Sequence, residues 1–588
     1  MLPLTVWYAF GQELQEGANA EGRNYWFAYI EETLSLLGVC ARPIPLAACS
    51  DAEALSQVGV LVLGDFPASC LPAGASRALG EWVARGGVLI GFGTEGLDSL
   101  FGVAEVGRVP QARGPFSISG YFELGRSPLT EDCRIPIALK QKLLILSPIR
   151  LLRRSDSEEL ARLFLCDEGS PDSGDRAHET QSPATTHRRL GAGHAFYFAF
   201  NAAQTLWAIQ QGRPVDADYD GDGYLRISDA CVLGANSLEV PYADCLHFLL
   251  ANLIGRRPVP MIHQVPPRAG RVAPALLFFG GDDEGEPHNQ VIASDFMASR
   301  GLPYHINAMP VGSGFAFGPE ERARIEANGH EIALHYNFID GFEHPCGFTR
   351  DDVARQARLF RDTFGRDSVC GVMHWCRWTG WAEPARWIRE CGGLADNSYA
   401  NWTSPPLNPI NTMGFAFGSA FPRFFWDDAE HGNDRIDLVE LPWVGYELGY
   451  ENADFHPEKI RAALNLACRY RLTFNFFWHP VYVAQYPACR RAINELVRIM
   501  VGMMIEQNVL PVLMGPDQLC RWWRARSAAA IRTARLVGGH VSLEAECDYD
   551  DGFVLKIPTG SAPAKECVFP DGLIGALARG QPGAERTA

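Results

Sequence analysis

Apolar runs of about five residues alternate with amphipathic stretches over most of the chain, the pattern left by strands and helices laid down in turn. In the first part the apolar runs fall at residues 5–10, 59–63, 88–92 and 195–200, and residues 73–85 carry a helical pattern closed by Gly86-Gly87. Strand and helix in alternation predict a doubly wound parallel sheet. Residues 165–188, rich in Asp, Glu, Ser and Thr, read as an exposed loop, and the proline- and arginine-rich residues 258–271 as a linker. Beyond the linker the alternation is more regular, with strand candidates at 275–279, 304–309, 331–334, 369–373, 394–396, 438–441, 473–478 and 510–513. The clearest helix opens at Thr349 with Asp352 three residues on, a capping-box variant, keeps Val353, Ala357, Phe360 and Phe364 on one face, and stops at Gly365. About seven or eight β/α repeats in this stretch predict a barrel, complete or distorted. Residues 537–555 alternate in the manner of a small antiparallel appendage, and the tail from Gly580 reads as disordered. The expected division is an α/β domain at 1–265, a (β/α) barrel at 266–525, and a small β appendage with its tail at 526–588.

The polar residues gain meaning from this layout. Asp282 and Asp283 follow the first strand of the second domain, His335 the third and His374 the fourth, while Asp396 ends the fifth and His479 follows residues 473–478. In β/α barrels the C-terminal ends of the strands share one rim, so separated stretches of chain deliver acids and imidazoles to a common surface. Trp375, Trp378, Trp381, Trp443 and Tyr446 fall on the predicted rim loops, where aromatic faces stack on sugar rings, and His374 is placed to touch substrate or metal.

Composition narrows the class. The chain has 588 residues, too many for one hydrophobic core, and its formal charge of -17 argues against a nucleic-acid partner. No run approaches the roughly 18 apolar residues that a membrane-spanning helix needs. The start lacks a basic segment and a small-residue cleavage site, which reads as a first strand and leads to the expectation of a cytoplasmic protein. Sixteen cysteines without a Cys-x-x-Cys pair suit reduced, mostly buried thiols. Homo-oligomerisation is left open.

One local motif is sharp. Asp218, Asp220, Asp222 and Asp229 stand at positions 1, 3, 5 and 12 of a twelve-residue loop, with Gly223 at position 6 and Tyr224 placed to offer its backbone carbonyl. Calcium takes about seven oxygens at loose angles, and this spacing wraps them around one ion, so a structural Ca2+ is expected. The loop resembles EF-hand and dockerin calcium loops.

Two wider resemblances carry further implications. The apolar run ending in Gly64-Asp65, the helix after it and the strand 88–92 resemble glutamine-amidotransferase-like, flavodoxin-like domains; Gly93-Thr94-Glu95-Gly96 stands where catalytic members carry a cysteine, so a non-catalytic domain is implied. In the second domain, Gly280-Gly281-Asp282-Asp283, the stretch from Gly329 to His335, Trp375-Cys376-Arg377, Ala395-Asp396 and Trp478-His479-Pro480 resemble, in order, the five motifs of the polysaccharide deacetylase family, also called the NodB-homology or carbohydrate esterase family 4 domain.

What that resemblance implies is a distorted barrel holding a divalent metal, usually Zn2+, through Asp283, His335 and a second histidine, for which His344 is the candidate. Asp282 would be the general base, His479 the general acid, Arg377 the residue that orients the base, and Asp396 the residue that fixes His479 or another supporting partner. The expected function is removal of N- or O-linked acetyl groups from a carbohydrate. Two alternatives stand beside it: a carbohydrate-binding protein on a degenerate deacetylase scaffold, and a glycoside hydrolase that pairs Asp282 with Glu440 or Asp396.

Overall fold

The computed structural model describes residues 2–111, 113–130, 142–166, 177–233, 240–401, 410–537, 540–558, 564–569 and 576–578, which form a mixed α/β protein. Two compact units account for them: Met1–Trp207 with Cys245–His263 and Ala525–Ala588, and Ala208–Asp244 with Gln264–Arg524.

In the first unit the four apolar runs and the unpredicted strand Arg42–Pro45 make five parallel strands in the spatial order Arg42–Pro45, Val6–Phe10, Val60–Leu63, Val88–Phe92, Gly193–Phe198. That is the order 2-1-3-4-5 of flavodoxin-like sheets. The helix Ala75–Ala84 buries Leu79, Trp82 and Val83, as its periodicity predicts. The same sheet continues as an antiparallel half, His178–Leu190, Glu158–Leu165, Gly120–Leu124 and Leu143–Ile145, which the sequence pattern does not announce. Part of the stretch expected to be an exposed loop is therefore a strand. Its polar residue types conceal a buried face, for Thr185 and Thr186 are fully buried and β-branched threonine suits a pleated surface.

The C-terminal residues do not stand apart as an appendage. Phe553–Ile557 pairs with Met261–Ile262, inside the stretch expected to be linker, and Leu4 N–H donates to the Ala534 carbonyl at 3.3 Å. Arg526, buried, donates to the carbonyls of Ser35, Leu36, Ile262 and His263, replacing water for four backbone acceptors at once. The expected disordered tail from Gly580 lies outside the described residues.

The second unit is built on a sheet whose eight central strands run parallel in the order Gly445–Tyr446, Thr473–Phe477, Leu276–Asp282, His305–Ala308, Glu331–Tyr336, Cys370–Met373, Ala395–Asp396, Arg435–Glu440. Thr412–Met413 and Arg423–Trp426 pair antiparallel at the two ends, and Val512–Met514 pairs beside the first half of Leu276–Asp282. Because the eight strands point one way, their C-terminal ends share one edge of the sheet. The helix Arg350–Phe364 begins as its capping box predicts: Thr349 N–H donates to Asp352 Oδ2 at 3.0 Å, and Gly365 closes the helix at φ 70°.

The acidic loop also changes allegiance. Residues 208–244 were expected in the first domain, but Val215 and Gly380 exchange backbone hydrogen bonds at 2.8 and 2.9 Å and Trp381 Nε1 donates to the Gly212 carbonyl, so the loop packs within the second unit. The described cysteines are all free thiols. Among the described residues no helix is long and apolar enough to cross a membrane.

Candidate active site

The strand Leu276–Asp282 is buried along its whole length, which an all-apolar run ending in Gly280-Gly281 allows. At Gly281 an added Cβ would sit 2.0 Å from the Trp478 carbonyl oxygen, so only glycine lets this strand lie so close to the chain leading into His479. The consequence is that Asp282 and His479 are delivered side by side. Asp282 accepts a hydrogen bond from Asn307 Nδ2 at 2.8 Å, and its Oδ1 lies 3.7 Å from His335 Nδ1. Burial pushes the Asp282 carboxyl up to about 7, against the opposing pull of His479.

Glu284 sits at the middle of the group. Its two carboxylate oxygens lie 3.2 Å from His479 Nε2 and 3.3 Å from His374 Nε2. Burial alone would raise its carboxyl, but hydrogen bonding to His374 and His479 holds it far below the usual carboxylate range. His479 shows the counterpart. Burial would lower its imidazole, yet Glu284 on one ring nitrogen and Glu447 on the other hold it well above its ordinary value. Glu447 is fully buried, stands at φ 49°, and also accepts from His479 N–H at 2.8 Å and from Tyr450 Oη at 2.5 Å. The result is an imidazolium fixed in orientation by a carboxylate on each ring nitrogen.

His335 is the anomaly. It is fully buried, and neither ring nitrogen completes a hydrogen bond, with Asp282 Oδ1 standing 3.7 Å from Nδ1 and the Val372 backbone carbonyl near the ring. Burial, reinforced by neighbouring His374, holds it well below its ordinary value, so the ring is neutral with a free lone pair. Its ring centroid lies 4.9 Å from that of His374, and one ligand atom each from Glu284, His335 and His374 fall within 4.8 Å of one another. Two imidazoles and a carboxylate at this spacing, with a buried lone pair that nothing in the chain satisfies, fit a zinc-type cation.

The structure thus brings together Asp282, His335, His374 and His479, and redistributes the rest. Asp283 lies next to the group, its Oδ1 taken by Gly285 N–H at 2.9 Å and Gln290 Nε2 at 2.5 Å, with burial raising it to about 6. His344 is exposed and outside the group, its Nδ1 3.0 Å from Arg377 Nη1. Of the expected set Asp283, His335 and His344, only His335 belongs to the grouped ligand-type atoms, which come from Glu284, His335 and His374; the segment after His335 carries His344 to Arg377, while the next strand brings His374 beside His335.

Arg377 donates to the Cys346 carbonyl and faces His344 and the Tyr224 ring, so it does not orient Asp282. Asp396 accepts from Ser398 N–H and Oγ, both at 3.0 Å, and shares a hydrogen bond with Glu440; its partner is not His479 but the neighbouring strand's carboxyl.

Of the aromatics, Trp375 is 40% exposed, while Trp378 stacks on Phe425 and Trp381 is tied to Gly212, both in the core. Trp443 stacks on Tyr446 at 5.6 Å, and Tyr446 turns its edge to His479 at 5.7 Å. Glu284 and Glu447 were missed by the sequence reading. The first stands in plain view in the Asp-Asp-Glu run, and the second has no sequence signal.

In the acidic loop, Asp218, Asp220 and Asp229 form a group with ligand atoms within 4.8 Å of one another, and Asp220 Oδ2 has no partner. Asp222, expected to join them, instead pairs with Arg226 Nη1 at 2.8 Å. Position 9 of the loop thereby supplies a guanidinium where the motif leaves a gap.

No family model and no curated protein matches the chain. Among solved structures it is similar to a β-galactosidase from Bacillus circulans sp. alkalophilus at 13% identity, over 34% of this chain and 30% of that one with TM-score 0.25. It is also similar to α-L-fucosidase isoenzyme 2 from Paenibacillus thiaminolyticus at 17% identity, over 34% and 30% with TM-score 0.26. A third similarity is to a cytoplasmic protein from Salmonella typhimurium LT2 at 12% identity, over 34% of this chain and 88% of that one with TM-score 0.22. The matched part spans under a third of the two glycosidases' length, and at such TM-scores none of these likenesses assigns a fold or an activity.

Proposed function

We propose that the second unit is a metal-dependent hydrolase that removes N- or O-linked acetyl groups from a carbohydrate, on an incomplete barrel of the NodB-homology type. The observation that supports it most is His335, buried with two unpartnered ring nitrogens beside Glu284 and His374 and within 3.7 Å of Asp282. Glu284, His335 and His374 would hold Zn2+, which when bound polarises an acyl carbonyl and brings the pKa of a coordinated water towards about 7.

The chain's own groups supply the proton traffic. Asp282, with its carboxyl near 7, takes the proton of the attacking water. His479, kept protonated between Glu284 and Glu447, returns one to the departing nitrogen or oxygen. Asn307 holds Asp282 in place, and the exposed Trp375 offers a face for a sugar ring. The loop of Asp218, Asp220 and Asp229, with the Tyr224 carbonyl, is proposed to hold a structural Ca2+.

A glycoside hydrolase would pair Asp282 with Glu440 or Asp396, but those two carboxyls are fully buried and hydrogen-bonded to each other, whereas Asp282 stands among imidazoles. The test is zinc content together with acetate and reducing-sugar release from acetylated amino-sugar oligomers, for the wild type and Asp282→Asn. Acetate release that requires zinc and is lost in the variant supports the proposal. Reducing sugar without acetate would replace it with the glycosidase, and tight oligomer binding without either product with the binding protein.

A further inference from the structure

His374 leads into an unusual piece of backbone. Trp375 at φ 55° and Cys376 at φ 51° are successive non-glycine residues in the left-handed region, which L side chains adopt only where surroundings enforce it. Nothing in His374-Trp375-Cys376 itself favours that turn. The enforcement comes from the acidic loop of the same unit. Arg226, 2% exposed, donates from Nε to the Trp375 carbonyl at 2.9 Å and from Nη1 to Asp222 at 2.8 Å. Its backbone bridges to Arg377, and Trp378 N–H donates to the Leu225 carbonyl at 3.2 Å. The Tyr224 ring packs on Trp375 at 5.2 Å.

We propose that Arg226 is a positioning residue for His374: its guanidinium clamps the left-handed turn at 375–376 to the loop 218–229 and so fixes the imidazole where Glu284 and His335 can share a cation with it. The inference rests on the metal site proposed above. A planar fork with donors at fixed angles meets the carbonyl and the carboxylate together, and a lysine ammonium at the end of a flexible stem does not reproduce that pair.

The test is Arg226→Lys in the full chain, with Arg213→Lys as control, since Arg213 donates to the Asp229 carbonyl in the same loop without touching the turn. Three quantities are read: the dissociation constant for zinc by competition with a chelating dye, kcat and KM separately, and amide exchange of residues 375–378. Arg226→Lys is expected to raise the zinc dissociation constant about tenfold, lower kcat with KM unchanged, and speed exchange in the turn, while Arg213→Lys leaves all three at wild-type values. Unchanged zinc affinity or unchanged exchange in Arg226→Lys overturns the inference, as does an equal effect from Arg213→Lys, which would mean a general loosening of the loop. If the wild type takes up no zinc, the hydrolase proposal fails, and exchange in the turn alone decides the role of Arg226.

Discussion

The two ends of the second unit's sheet each carry a buried cluster of carboxylate and imidazole, and the two differ in how far the chain satisfies them. At the N-terminal ends, His305 Nε2 lies 3.2 Å from Asp517, Asp517 accepts Cys370 N–H at 3.1 Å, and Glu331 accepts the N–H groups of Asp517 and Gln518, both at 3.0 Å. These bonds cap the helix Pro516–Ala528 and tie it to three strands. At the C-terminal ends, His335 is left with two bare nitrogens and Asp283 with a bare Oδ2. Both clusters have the residue types and spacing of a metal site. What separates them is the degree of satisfaction: at the N-terminal ends His305 Nδ1 alone among the three residues lacks a partner and the carboxylates hold a helix in place, whereas at the C-terminal ends more buried polar atoms go unmatched and something from outside is expected.

Substitutions can break this contrast, and the largest effect is expected at the C-terminal ends. His335→Ala should abolish zinc uptake measured by metal analysis, and Asp282→Asn should lower acetate release about 10^2 to 10^4-fold, the range a general base supplies, with the melting transition little changed. At the N-terminal ends the pattern reverses. Glu331→Ala strands two backbone donors and should cost about 2 to 3 kcal/mol in denaturant unfolding, while activity per folded molecule stays at the wild-type value.

The pH profile sharpens the same contrast. Asp282 must be ionised to accept a proton, and with its carboxyl raised to about 7 it is protonated below that pH. Acetate release should therefore rise with pH through about 7, whereas His479, held well above its ordinary value, should keep its proton across that window. The smallest effect is expected at His344. His344→Ala should leave zinc affinity unchanged; a loss comparable to that of His374→Ala would reinstate the ligand set with Asp283.

Much of the scaffold was legible because buried parallel strands leave apolar runs: residues 88–92 were placed to the residue, and the central strands of the second unit to within a few, except Gly445–Tyr446, which was expected on a loop. The antiparallel half of the first sheet was not, since its buried Thr185 and Thr186 look like loop residues. Membership of the units was hidden for a different reason. The chain leaves and re-enters each unit, and nothing at residues 208, 245 or 525 marks the crossing.

In the site, Asp282, His335, His374 and His479 were found from their places after strands. The third ligand was sought by spacing from His335 along the chain, although the sheet brings the next strand's His374 closer in space than the loop that carries His344. Glu447, in a left-handed loop position after an apolar segment, meets His479 only because strands 445–446 and 473–477 are neighbours, which no local pattern reveals.

The bare α-carbon at position 281 bears on how this protein can change. With no room for a methyl group between two backbones, the spacing of the acid after it and the imidazole after residue 478 is set by main chain rather than by replaceable packing. Mutational libraries aimed at new substrates can therefore vary the exposed tryptophan side chain at 375, provided this one hydrogen atom and the Arg226 contacts to the turn are left alone.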